Sequence, residues 1–164
     1  MPYSNVKFDI TPLERPNKTG MDKVELLFSS NKNKSPQPID KTASGGEISR
    51  VMLCLKYLLA QSSSLPTLIF DEIDTGISGE AADLTAKMLK KMSANVQIIS
   101  ISHLPQIAAK ATTHYFVEKS GESETTVIKL NKEERITAIA RMLSGSTLSD
   151  AAIQNAQALL SEEN

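Results

Sequence analysis

The chain has 164 residues, of which 40% are hydrophobic and 23% are charged, as in a soluble globular protein with its own core. Its 18 basic and 19 acidic residues give a net charge of −1, which excludes a globally basic nucleic-acid-binding protein but leaves room for a local basic patch. A single cysteine, Cys54, excludes an internal disulfide, and no apolar stretch is long enough to span a bilayer.

The whole chain, 1–164, is predicted to form a single domain whose first forty residues are strands and loops. Residues 1–10 lack the apolar stretch of a signal peptide, so we expect a cytoplasmic protein. Alternating apolar and polar residues predict strands over Val6–Ile10 and Val24–Phe28. Each of these strands is followed by a turn-rich segment.

From Gly45 onward, helical patterns alternate with short apolar runs. Helices are predicted over Gly45–Gln61 and Gly79–Met92, and strands over Leu68–Phe70 and Val96–Ile101. Two more strands around a turn at Gly121 and two final helices follow: Tyr115–Val117, Thr126–Leu130, Glu133–Leu143 and Leu148–Leu160. The alternation predicts an α/β fold, with a mostly parallel sheet flanked by helices. In such sheets, ligands bind at the carboxyl ends of the strands.

The segment Ser44-Gly45-Gly46-Glu47 opens the first long helix. One interpretation is structural, with Ser44 as the N-cap and Glu47 completing a capping box. That interpretation leaves the two glycines unexplained, because each costs a helix about 1 kcal/mol relative to alanine. The second interpretation is that a ligand approaches the backbone closely here, and that the helix N-terminus binds an anion such as phosphate.

Two adjacent acids, Asp71 and Glu72, end the predicted strand at 68–70. In nucleotide hydrolases, an acid at this position holds Mg²⁺ and a following glutamate activates the attacking water. The alternative is a pair of solvated acids entering a loop. The small and polar residues that follow favour the functional interpretation, because they suit close contact with a ligand, and Ser78 among them is a candidate helix cap: Asp74, Thr75, Gly76, Ser78 and Gly79.

His103 follows the next predicted strand and is the third candidate. A lone histidine is more often structural, but at the carboxyl end of a parallel strand an imidazole can contact a terminal phosphate. His114 lacks this context and is interpreted as structural. The sequence contains neither a Cys/His zinc cluster nor a Gly-x-Ser-x-Gly nucleophile motif.

In this order, the three segments resemble the signature motif, Walker B, D-loop and switch histidine of the ABC ATPase superfamily. Within it, the wording of residues 43–50, 70–79 and 102–108 is similar to RecN-type DNA repair ATPases, of the SMC-like branch. The resemblance extends from about Gly20 to near the end of the chain. It implies the C-terminal lobe of an ATPase head that binds ATP and Mg²⁺.

The resemblance also implies roles for individual residues. Asp71 would help to hold Mg²⁺ through water, while Glu72 would be the general base and His103 would contact the γ-phosphate. The signature residues would bind the γ-phosphate of ATP held by a second head of a homodimer, with Asp74 at the junction between heads: Ser44, Gly45, Gly46 and Glu47. The family acts in recombinational repair of DNA double-strand breaks, contacting DNA through the full-length protein and requiring no membrane.

One expected motif is missing, since no Gly-x-x-x-x-Gly-Lys-Ser/Thr phosphate loop occurs in the chain. The family carries it in an N-terminal head lobe, which we therefore expect as a partner, and the chain alone should not hydrolyse ATP. Two alternatives are a non-catalytic interaction lobe that only donates a signature motif, and a fragment of an ABC transporter ATPase. Ala43 and Glu47, where transporters usually have leucine and glutamine, count against the transporter.

Overall fold

The computed structural model describes residues 3–62, 65–120, 124–145 and 147–161. The chain divides into two compact units, residues 1–56 and 57–164, where the sequence predicted one domain. Helices and strands are mixed throughout, as expected for the α/β class.

The first unit begins with a long antiparallel hairpin. Strands β1 (Asn5–Asn17) and β2 (Gly20–Ser29) pair with Phe8 opposite Leu26 and Ile10 opposite Val24, and a short strand β3 (Gln37–Pro38) pairs with the end of β2. A short helix, α1 (Ile39–Thr42), leads to α2 (Gly45–Ser62), which crosses the boundary between the units. Both predicted strands lie within longer ones.

The second unit begins with a strand–helix–strand motif, which consists of β4 (Thr67–Asp71), α3 (Gly79–Met92) and β5 (Gln97–Ile101). The two strands pair in parallel, because a helical crossover returns the chain to the same end of the sheet. Asp71 lies opposite Ile101, so the carboxyl ends of both strands, and the loops that follow, are neighbours.

After a short helix, α4 (Pro105–Ala109), the strands β6 (Tyr115–Ser120) and β7 (Glu124–Lys129) form an antiparallel pair. The turn predicted at Gly121 lies outside the described residues. Two helices, α5 (Lys132–Ser144) and α6 (Asp150–Ser161), complete the fold. Parallel pairing in the described part of the chain is confined to β4 and β5, and the other two sheets are antiparallel.

Helices α4, α5 and α6 pack on one another around small side chains. The buried cluster has one large member, Ile139, and is otherwise alanine: Ala109, Ala140, Ala152 and Ala156. Asn131 begins α5 with a complete capping box, in which its side chain accepts from the Glu133 and Glu134 backbone amides. Small side chains of this kind allow helices to pack closely, and the cluster forms part of the core of the second unit.

Strand surfaces in both units expose apolar side chains, those of the β6–β7 pair among them. On the β1–β2 hairpin, Val6, Phe8, Ile10 and Val24 share one face and are all exposed, Phe8 by 60%. On the β4–β5 pair, the exposed residues of one face are Ile69, Ile99 and Ile101. Parallel sheets are normally covered on both faces. Each unit therefore has, at its surface, apolar side chains of the kind that a neighbouring segment normally covers.

Candidate functional site

The chain leaves strand β4 through an abrupt turn at Glu72. This residue adopts a φ of 48°, the left-handed region that non-glycine residues rarely occupy. Its backbone amide still donates to the Ile101 carbonyl, at 3.2 Å, and its own carbonyl accepts from the Thr75 amide, at 3.1 Å. The strand therefore ends at Asp71, and both acidic side chains are exposed beside the end of β5.

Asp74 occupies the centre of the loop after β4, and its side chain is fully buried. One carboxylate oxygen, Oδ2, accepts from the Ser102 hydroxyl at 2.6 Å, the His103 amide at 2.8 Å and the Leu104 amide at 3.2 Å. The same oxygen lies 3.0 Å from His103 Nδ1. Asp74 thus ties the loop after β4 to the loop after β5.

His103 has most of its side chain in solvent, with 71% exposed, even though Nδ1 faces the buried carboxylate. The ring is therefore held at one nitrogen and open at the other. The structure brings His103, Asp74 and the loop containing Glu72 together at one edge of the β4–β5 sheet, as the strand-end argument predicts.

Ser44 and Glu47 form the predicted capping box at the start of α2. The Ser44 amide and hydroxyl both donate to Glu47 Oε2, at 2.8 and 2.9 Å, and the Glu47 amide donates to Ser44 Oγ at 3.3 Å. A Cβ added at Gly45 would meet nothing within 4 Å, so the backbone is open to a ligand there. Both interpretations of the segment are thus compatible with its geometry. Ser44–Glu47 belongs to the first unit and Asp71, Glu72, Asp74 and His103 to the second.

Three groups have shifted pKa values. Hydrogen bonding from the Ser44 backbone, followed by the Ser30 and Ser44 hydroxyls, lowers the pKa of Glu47. Burial of Asp74 would raise its pKa, but the Ser102 hydroxyl and backbone amides, with the nearby His103, lower it overall. Burial, and then the Arg135 charge, lowers the pKa of His114, which fits its interpretation as a structural residue.

The acids suit a magnesium ion that is held mainly by a nucleotide. Among the described residues, no group of three or more His, Cys, Asp or Glu side chains could hold a metal. Mg²⁺ in nucleotide sites takes one or two carboxylates, with water and phosphate oxygens as the remaining ligands. The exposed Asp71 at the end of β4 provides one such carboxylate.

Two features of the site were not predicted from the sequence. Ser102 was considered only as part of a motif, yet its hydroxyl makes the shortest contact to Asp74. Ser78 is the N-cap of α3 in position and backbone conformation, but its side chain makes no capping hydrogen bond. A serine beside a histidine carries no sequence signal for such a contact, because its partner lies 28 residues away.

Several proteins that are similar in sequence to this chain are RecN proteins. The DNA repair protein RecN of Haemophilus influenzae is 40% identical over 153 residues, which is 92% of this chain and 27% of that protein. RecN of Rickettsia prowazekii is 44% identical over 98% of the chain and 29% of that protein. The chain thus spans less than a third of the length of these relatives. No protein-family model matches it.

Solved structures with the same fold are SMC proteins. One, from work on ATP-driven dimerization and DNA-stimulated activation of SMC ATPases, superposes with a TM-score of 0.66 at 20% identity, covering 89% of this chain and 85% of that one. The Smc head domain of Pyrococcus yayanosii gives 0.67 at 22% identity, covering 89% of this chain and 26% of that one. At these identities the likeness concerns the fold alone. The chain thus shares its fold with SMC head domains, and its sequence is similar to part of the RecN proteins.

Proposed function

We propose that the chain is the C-terminal lobe of an ATP-hydrolysing head that acts in recombinational repair of DNA double-strand breaks. The observation that carries the proposal is the arrangement at the end of the β4–β5 sheet. Two exposed acids leave one strand, and the loop behind them is tied by Asp74 to an exposed histidine that leaves the next. A site for hydrolysis of a phosphate anhydride accounts for both the acids and the linked histidine. The alternative, two solvated acids that enter a loop, leaves the histidine unexplained.

Each residue has a chemical role in this proposal. Asp71 helps to hold Mg²⁺ through water, and the ion, when bound, neutralises charge on the phosphates. Glu72 accepts a proton from the attacking water, and its left-handed backbone sets the direction in which its carboxylate leaves the strand. His103 contacts the γ-phosphate from the neighbouring loop.

The signature segment acts on a different nucleotide. Free amides at the start of α2 and the open backbone at Gly45 suit a phosphate. Ser44, Gly45 and Gly46 are proposed to bind the γ-phosphate of ATP held by a second head, with Glu47 keeping the segment in shape through the Ser44 contacts. Two heads would therefore close on ATP as a homodimer.

The missing half of the site is the N-terminal head lobe of the same protein. The chain has no phosphate loop, so the triphosphate would lose most of its contacts and the chain alone should show negligible hydrolysis. The exposed apolar surfaces of β1–β2 and β4–β5 are the surfaces that such a lobe would cover.

We include DNA repair in the proposal because the chain is similar in sequence to DNA repair proteins of the RecN type. A net charge of −1 provides no general attraction to DNA, so contact with DNA is assigned to the full-length protein. In the described part of the chain, no helix is long and apolar enough to cross a membrane. We propose a cytoplasmic protein that can associate with the nucleoid.

The test is ATP hydrolysis by this chain mixed with a separately produced N-terminal lobe carrying the phosphate loop, with linear or closed circular DNA. We expect turnover only when both lobes and Mg²⁺ are present. Glu72→Gln should reduce kcat at least 100-fold, whereas the matched change Glu80→Gln, in the first turn of α3, should not.

Two outcomes would contradict the proposal. Turnover by the chain alone that depended on Glu72 would show that the phosphate loop is dispensable. A stable complex of the two lobes that bound ATP without hydrolysing it would favour a non-catalytic lobe that only donates its signature motif. No observation supports the transporter alternative.

A further inference from the structure

The contacts of Asp74 determine which nitrogen of His103 carries a hydrogen. A carboxylate oxygen carries no hydrogen, so a hydrogen on the Nδ1 atom, which lies 3.0 Å from Asp74 Oδ2, is favoured over a lone pair there. The neutral ring then carries its single hydrogen on Nδ1, which leaves Nε2 with a lone pair. The position of the hydrogen on one ring nitrogen thereby determines whether the other nitrogen carries one.

The carboxylate is held rigidly enough to impose this choice. Its Oδ2 takes the Ser102 hydroxyl and two successive backbone amides of the same loop, and the side chain has no exposed surface. Among the described residues its other oxygen, Oδ1, has no hydrogen-bond partner, so the contacts concentrate on Oδ2. Any change in the direction of Asp74 would therefore move the His103 backbone and ring together.

We propose that Asp74 is a positioning residue that holds His103 with Nδ1 toward its carboxylate and Nε2 directed outward, so that the neutral ring takes the Nδ1–H form. Phosphate oxygens are acceptors, and a neutral Nδ1–H ring would present a lone pair to them. An Nε2–H donor is available in this geometry only if both nitrogens are protonated. The buried carboxylate then compensates the charge of the ring from behind.

This inference rests on the proposed function, in which His103 contacts a terminal phosphate. It gives Asp74 a role other than the contact between heads that the resemblance implies. The Asp74 side chain works within its own lobe. A contact with a second head would fall to the exposed residues of the same loop, Thr75, Gly76 and Ser78.

The test is two-bond ¹H–¹⁵N NMR of the histidine rings in this chain, which has two histidines, with His103→Asn to assign the signals. In the neutral form, His103 should show a protonated Nδ1 and an unprotonated Nε2. Asp74→Asn should shift His103 toward the Nε2–H form that free imidazole side chains prefer. Asp83→Asn, which removes an equal charge on α3, should leave His103 unchanged.

Neutral His103 in the Nε2–H form in the unaltered chain would overturn the proposal, and so would an unchanged ring in a folded Asp74→Asn chain. If Asp74→Asn unfolds, the form found in the unaltered chain decides the question. In the two-lobe ATPase assay, Asp74→Asn should lower kcat roughly 10- to 100-fold with little change in KM. Absence of turnover in the unaltered pair would refute the proposed function while leaving the NMR result intact.

Discussion

At the scale of single residues, the site depends on one unfavourable backbone conformation. Glu72 lies at φ 48°, which costs a non-glycine residue about 1–2 kcal/mol, although glycine would adopt it freely. Functional sites are where such strain is usually retained. The glutamate at this turn therefore lowers the stability of the chain, as expected if position 72 is retained for the proposed role of general base.

Glycine at position 72 should consequently be better tolerated than alanine, which reverses the usual order. We expect Glu72→Gly to be about 1 kcal/mol more stable than Glu72→Ala, measured by urea unfolding of the chain. At Glu80, in the first turn of α3, the order should be normal, with alanine more stable than glycine by up to about 1 kcal/mol. A Glu72→Ala chain at least as stable as Glu72→Gly would argue against strain at this turn.

At the scale of elements, one arginine links two helices in the second unit. The Arg135 Nη2 atom, on α5, lies 3.5, 3.3 and 2.6 Å from the carbonyl oxygens of Ala108, Ala109 and Ala111 at the end of α4. The last carbonyls of a helix have no partner within the helix, and a cation also suits the negative end of its dipole. Arg135 therefore determines where α4 ends and holds α5 against it.

Arg135→Ala should lower the free energy of unfolding by about 1.5–3 kcal/mol, because hydrogen bonds from a charged group are lost. The pKa of His114, which burial and the Arg135 charge both lower, should rise toward its ordinary value. Arg141→Ala, at an exposed position of the last turn of α5, is the matched control and should change stability by less than about 0.5 kcal/mol. Equal effects of the two substitutions would show that Arg135 is not a specific link.

At the scale of the whole molecule, each unit exposes apolar surface that a complete head would cover. On β1, apolar Val6, Phe8 and Ile10 alternate with polar neighbours, and it is the apolar face that lies open. Alternation of this kind normally marks a strand with one buried face. We therefore expect this face to bind the proposed N-terminal lobe.

Phe8→Gln should weaken association with that lobe about 10- to 100-fold, since burying a large apolar side chain is worth about 1.5–3 kcal/mol. The same change should reduce binding of an apolar dye by the chain alone. Lys7→Gln, on the opposite face of β1, should affect neither property. Calorimetric titration of the two lobes provides the measurement, and equal affinities for the two variants would place the contact elsewhere.

Local patterns predicted the elements well, because capping and periodicity depend on neighbouring residues. Helix α3 has the predicted bounds, and the capping box of Ser44 and Glu47 is present. Burial was harder to predict: Leu58 and Leu59 of α2 follow the helical pattern but are exposed, as is Cys54 of the same helix. The pattern shows that an apolar face exists without showing which chain covers it.

The candidate site was predictable as a set of residues but not as a set of contacts. Strand-end logic placed Asp71, Glu72 and His103 near one another. The left-handed turn at Glu72 and the three donors around Asp74 Oδ2 depend on residues 28 to 30 positions apart in sequence, and no local rule reports them.

Within the described residues, the strands β4 and β5 form a two-stranded sheet with an unpaired edge on each side. Unpaired edges and uncovered isoleucines are features that chaperones and proteases recognise in newly made chains. Because the proposed N-terminal lobe is part of the same protein, a substitution that keeps the two lobes apart would leave this sheet uncovered. Such a substitution would shorten the lifetime of the whole protein even if it lay far from the nucleotide site.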